Sequence, residues 1–164
     1  MENNAEPIIK EIRQIGIVVK DIDEAVKRWS ELGVGPWTSI TIVEDENNDT
    51  TLYGEKCSFV VKLANAWVGS LEIELMQPIS GKSPHSDFLE QHGEGVHHLA
   101  MFLEDPRNTA KQVQEKGYEE MMNTSGFGPL KDGVAVFVDT MPGLTVALEL
   151  VKPPTIPDDC KLDQ

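Results

Sequence analysis

Two stretches far apart in this chain share one layout, and that repetition limits its possible folds more than any other feature. QIGIVVKD, Gln14 to Asp21, is an apolar run of strand length, rich in Ile and Val, that closes on aspartate. HLAMFLED, His98 to Asp105, does the same. Short apolar runs bounded by turn-forming residues predict strands. Asp21 then opens DIDEAVKRWSELGV as an N-cap, with Glu24 at capping-box spacing. Ile22, Ala25, Val26, Trp29 and Leu32 fall on one helical face, and Gly33 supplies the stop. Asp105 opens DPRNTAKQVQEKGY, where Pro106 suits the first helical position and Gly117 ends the helix. Both stretches read strand, turn, helix, and Gln14 and His98 hold equivalent first positions.

The ends of the two halves also match. GSLEIELMQP, Gly69 to Pro78, parallels GLTVALELVKP, Gly143 to Pro153, and aligning the prolines places Glu74 against Glu149 to within one residue. KCSFVVKLANAWVGS and DGVAVFVDTMPG supply a strand and a turn ahead of each. Each half therefore reads βαβββ with antiparallel hairpins, at residues 12–78 and 96–153. A lone unit of this size buries too little apolar surface, so two copies are expected to share one core. Residues 79–95 connect them, and SPHSDFLEQHG within that segment reads as a short capped helix. Residues 1–11 form a polar lead-in, and residues 154–164 lack apolar periodicity and read as a flexible tail.

Composition removes several function classes. The net charge of −14 repels nucleic acid and anionic membrane surfaces. Neither a membrane-spanning run nor a secretory leader is visible, so the expected location is cytoplasmic. Cys57 and Cys160 make no metal motif or disulfide framework and read as free thiols. EDENNDT, Glu44 to Thr50, reads most simply as a solvated acidic loop.

IRQIGIVVKDIDEA, IELMQP, GEGVHHLAMFLED and VALELVKP, taken in order, resemble the vicinal oxygen chelate superfamily of glyoxalases, bleomycin-resistance proteins and dioxygenases. ELMQP followed by SPHSDFLEQHGEGVHHLA is most similar to the methylmalonyl-CoA epimerases. The resemblance implies an α+β fold in which two βαβββ modules form an open, half-barrel-like sheet around a cavity. It also implies a divalent metal ion (Co, Ni, Mn, Mg or Zn) held by Gln14, Glu74, His98 and Glu149, and a homodimer. His98 is preferred to His97 because it precedes LAMF as Gln14 precedes IGIV, and strict alternation along a strand sends neighbouring side chains to opposite faces. Gln14 departs from the family's histidine; its amide oxygen binds a hard or borderline ion more weakly than imidazole. A set with one histidine disfavours the 2-His-1-carboxylate iron chemistry of oxygenases.

The chemistry so implied is enolisation of a carbon next to a carbonyl or thioester, an epimerase or isomerase acting on an acyl-CoA or another small carbonyl compound. Glu55 is the first candidate base by resemblance and Glu149 the second, while Glu44 and Glu46 have no placing argument. A glyoxalase I-like lactoylglutathione lyase, and a metal-free ligand binder of the bleomycin-resistance type, are the alternatives. His97 is expected to pack outside the site, and His85 and His92 to lie on the surface of the connecting helix. Trp37 and Trp67 either line a pocket or pack structurally.

Overall fold

In a computed structural model, which describes residues 6–45 and 49–157, the chain forms one ten-stranded curled sheet with four helices. The first half runs β1 (Gln14–Val18), α1 (Ile22–Glu31), β2 (Thr38–Glu44), β3 (Thr51–Leu52), β4 (Glu55–Lys56), β5 (Phe59–Val68) and β6 (Leu71–Gly81). After α2 (Pro84–His92) come β7 (Gly95–Phe102), α3 (Pro106–Gln114), β8 (Glu119–Phe127), β9 (Gly133–Asp139), α4 (Met141–Leu144) and β10 (Ala147–Lys152). This is the expected α+β half-barrel.

The strand order β2-β5-β6-β1-β7-β10-β9-β8-β3-β4 shows how the halves meet. β1 runs parallel to β6 and β7 parallel to β10, while β1 and β7 are antiparallel to each other at the centre. One half is thus the other turned about the β1–β7 seam, except that the β3–β4 hairpin leaves its own half and pairs with β8. Asp21 caps α1 by accepting from the Glu24 amide at 3.0 Å, and Asp105 caps α3 by accepting from Asn108 at 3.0 Å. On one side Ala25, Val26 and Trp29 of α1 pack with Ile22 over Ala64, Ile73 and Leu75. On the other, Ala110 and Val113 of α3 pack over Met101, Val136, Val138 and Leu150. Leu32 does not join its expected face: α1 stops at Glu31, and Leu32, as the C-cap residue, is 80% exposed.

Three segments depart from the expectations drawn above. Residues 154–157 are described and held: Thr155 donates to Asp132 through its amide (2.9 Å) and its hydroxyl (2.7 Å), so this part of the expected flexible tail is pinned. The acidic loop is likewise engaged at its start, where Glu44 ends β2 and accepts from the Thr50 hydroxyl at 2.7 Å. Glu46 and Cys160 lie outside the described residues.

The third departure lies in the seam. Gly16 faces His98 and Gln14 faces Ala100, but the register then slips so that Ile17 faces Val96, leaving His97 as the extra residue of a bulge. Strict alternation fails there, and both histidine rings enter the interior, with 1% and 0% of His97 and His98 exposed. The His98 ring lies so close to β1 that a Cβ on Gly16 would sit 2.0 Å from its Cε1. Gly16→Ala is therefore expected to cost about 1–3 kcal/mol by overpacking. Urea unfolding of Gly16→Ala, His98→Ala and the double variant checks this: with the ring removed, the glycine change should cost less than about 0.5 kcal/mol.

Candidate functional site

The seam brings one side chain from each of four central strands to one point. Gln14 starts β1, Glu74 lies on β6 opposite Gly16, His98 is on β7, and Glu149 is on β10 opposite Ala100. His98 Nε2 lies 3.1 Å from Glu149 Oε2, 3.6 Å from Glu74 Oε2 and 3.5 Å from Gln14 Oε1. A ligand atom from each of Glu74, His98 and Glu149 falls within 4.8 Å of the other two. Gln14 Nε2 donates to Glu72 Oε2 at 2.7 Å, which leaves its amide oxygen turned to His98. Asn65, the cross-strand neighbour of Glu74, donates to Glu74 Oε1 at 3.1 Å.

The electrostatics of this cluster follow from its burial. Only 12% of the Glu74 side chain is exposed, and burial, then the Glu149 charge, raise its carboxyl to about 7. Burial opposes charging of His98, but the Glu149 carboxylate, and after it Glu74, outweigh that and lift the imidazole above its ordinary value. Burial also raises Glu72, against the hydrogen bond from Gln14. Carboxyl groups crowded out of water around one imidazole are the setting a divalent cation relieves, and an imidazole nitrogen, two carboxylates and an amide oxygen suit a borderline or hard ion. The residues fit such an ion.

Gln14, Glu72, Glu74 and Glu149 line one part of a cavity of about 560 Å³, and His98 lies fully buried against them. The remaining wall is largely apolar, with Phe59, Val61, Leu63, Phe102 and Phe137 among its residues. β2 contributes Glu44, and the pinned segment after β10 contributes Pro153, Pro154 and Ile156.

The first candidate base does not reach this cavity. Glu55 sits exposed on β4, at the outer edge of the sheet, because its hairpin crosses to β8. Glu44, which had no placing argument, lines the cavity, as does Glu72, which sequence reasoning missed. The signal for Glu72 was available: it stands two residues before Glu74 and so shares its face of β6. His85 is also corrected. It is 4% exposed in the first turn of α2, lines the cavity, and packs its ring 5.0 Å from that of His97 and 5.6 Å from that of Phe137. His97 Nδ1 lies 3.1 Å from His98 Nδ1, so His97 is the partner of His98 behind the cluster and does not line the cavity. His92 is exposed, as expected. Neither tryptophan lines the cavity: Trp37 donates to Val34 O at 3.0 Å beside α1, and Trp67 is 47% exposed with Arg13 over its ring.

Comparison with known proteins bears on this arrangement. The profile of the Glyoxalase/Bleomycin resistance protein/Dioxygenase superfamily matches residues 13–137. The chain belongs to that superfamily. Solved structures similar to it include methylmalonyl-CoA epimerase from Mycobacterium tuberculosis, at 21% identity and TM-score 0.62, covering 94% of this chain and 95% of that one. A Streptomyces coelicolor methylmalonyl-CoA epimerase variant in complex with 2-nitronate-propionyl-CoA aligns at 22% identity and TM-score 0.65, over 89% of this chain and 99% of that one. A hypothetical protein from Bacillus halodurans aligns at 22% identity and TM-score 0.62, over 90% and 97%. At such identities the likeness shows a shared fold. No curated protein matches. Among the described residues, no helix is long and apolar enough to cross a membrane.

The raised Glu74 carboxyl makes a pH prediction for metal-free protein. Its folded value, about 7, exceeds the ordinary 4.5, so the folded state holds the proton more tightly. The stability this supplies is full below about pH 4.5 and is lost as pH rises through 7. Glu74→Gln should then leave stability near pH 5 unchanged and raise it at pH 8 by on the order of 2 kcal/mol. Urea titrations of chelator-treated protein at both pH values measure it.

Proposed function

We propose that this protein is a metal-dependent isomerase or epimerase that enolises a carbon next to a carbonyl or thioester. The observation carrying this reading is the convergence of Gln14, Glu74, His98 and Glu149 from four strands on one side of an apolar cavity. These residues would hold a divalent ion, whose chemistry there is to polarise a substrate carbonyl and favour loss of the neighbouring proton. The substrate class named for the structural neighbours, an acyl-CoA thioester, supports a carbonyl substrate of this type.

The chain's own residues supply the rest. Gly16 lets His98 lie against β1, and His97 backs its other nitrogen, fixing the ring. Glu72 orients Gln14, and Asn65 orients Glu74, each through a single hydrogen bond. The apolar wall excludes water and strengthens the electrostatics of the interior. Proton transfer needs a carboxylate facing the substrate. Glu44, oriented by the Thr50 hydroxyl, is the base we favour, with Glu149 as the group on the opposite half of the sheet, because the two come from strands on either side of the cavity. A lyase of the glyoxalase type would use the same donors and differ in what the cavity admits.

Metal content after chelation and reconstitution with Co, Ni, Mn, Mg or Zn is the deciding experiment. About one ion per chain is expected, lost in His98→Ala and in Glu149→Ala. No stoichiometric uptake would overturn the reading and leave a ligand-binding member of the superfamily. On loaded protein, exchange of α-deuterium from solvent into a thioester should fall about 10²–10⁴-fold in Glu44→Gln, the range for loss of a general base. It should be unchanged in Glu55→Gln.

A further inference from the structure

One polar side chain of the cavity belongs neither to the four converging donors nor to their hydrogen-bond partners: His85. It is 4% exposed and lines the cavity, yet neither of its ring nitrogens has a hydrogen-bond partner among the described residues. Its neighbours are engaged, Gln14 with Glu72, Asn65 with Glu74 and His97 with His98. A buried donor or acceptor without a partner is costly, and folded chains keep few of them. Packing gives no reason to keep this one. The ring meets Phe137 at 5.6 Å and His97 at 5.0 Å in T-shaped contacts that a phenyl ring would make equally well. Its place is fixed all the same, because Ser83 and Ser86 exchange hydrogen bonds of 3.1 and 2.9 Å across the first turn of α2.

A group held so firmly and left unsatisfied is set for a ligand. One ring nitrogen of His85 lies within 4.8 Å of a ring nitrogen of His98, which puts it at the end of the cavity where the carboxylates gather. Burial holds the imidazole neutral, at about 3, so in either tautomer it carries one N–H and one bare nitrogen. A neutral imidazole is an effective electrophile toward a carbonyl oxygen. That oxygen has two lone pairs, so an N–H can bind it whether or not an ion does. We infer that His85 is a substrate-binding residue whose N–H donates to the carbonyl oxygen of the bound substrate. This rests on the reading of the cavity as the site of enolisation and deepens it, naming the side chain that holds the oxygen where negative charge develops. Such a bond strengthens as the charge builds, so its loss falls on turnover more than on binding.

Carbon-13 NMR on the metal-free full chain tests this with S-propionyl-N-acetylcysteamine labelled at its thioester carbonyl. A hydrogen bond deshields the carbonyl carbon, so the bound resonance in wild type should lie downfield of that in His85→Phe. His85→Gln, which keeps an N–H, should give an intermediate position, and it carries the test if the phenylalanine variant does not fold. A merely structural ring would leave the resonance where it was in every variant that folds. On cobalt-loaded protein, solvent deuterium exchange should fall about 10²–10³-fold in kcat in His85→Phe, with KM within about threefold. Coincident bound resonances in wild type and the variants overturn the inference, and so does failure of the probe to bind wild type. Loss of cobalt uptake in His85→Phe also overturns it, by making the ring a metal ligand. The two readings fail separately. A downfield resonance that requires His85, with no exchange in loaded wild type, overturns enolisation and leaves the contact standing. Exchange that persists within about twofold in His85→Phe, with an unmoved resonance, overturns the contact and leaves enolisation.

Discussion

The His98 ring lying on the bare backbone of Gly16 is the contact on which the site depends. It is made across the antiparallel seam, where neither half alone could make it, and it sets the ring between carboxylates drawn from both halves. Remove the seam, and Glu74 and Glu149 belong to separate sheets with nothing to bring them together. The parallel pairing of β1 with β6 then sets Glu74 opposite Gly16, which faces His98, and that of β7 with β10 sets Glu149 opposite Ala100, which faces Gln14. Fold and site are therefore one construction, and the same register that closes the core also assembles the donors.

That construction stores unfavourable electrostatics in its centre. Carboxyl groups removed from water repel one another, and the imidazole offsets only part of this. Hydrogen bonds and packing fix their positions: Asn65 donates to Glu74 and Gln14 to Glu72, and large apolar residues such as Leu75, Met76 and Leu150 are buried on the same strands. A cluster this costly to the chain, able to take a cation, would couple the binding of such an ion to stability.

Much of this was legible in residue order. Period-two and period-3.6 patterns, the aspartate caps and the repeated strand–turn–helix layout located β1, α1, β7 and α3, and aligning the two prolines brought Glu74 and Glu149 into correspondence. What stayed hidden depended on partners distant in sequence. His85 follows a capping serine and a proline in a short polar helix, which reads as surface, and only the packing of α2 beside β7 and Phe137 buries it. The bulge at His97 leaves no mark in the order of residues, so alternation separated two rings that in fact touch. Glu55 was misplaced because nothing in LYGEKC shows its hairpin joining the opposite half's edge. The prolines after β10 read as an unstructured end, and their engagement rests on Asp132, more than twenty residues earlier.

The seam has a further consequence, which concerns how two similar halves grow unlike. Across it, His98 meets a glycine and Gln14 meets Ala100, so the halves differ by one methyl group at the place each offers the other's side chain. A rigid ring laid flat on the opposing strand needs that methyl absent, whereas a flexible amide can bend around it. The first half supplies the empty place and the second supplies the ring. Symmetry has given way to a division of labour between a host and its guest, and neither half could now stand in for the other.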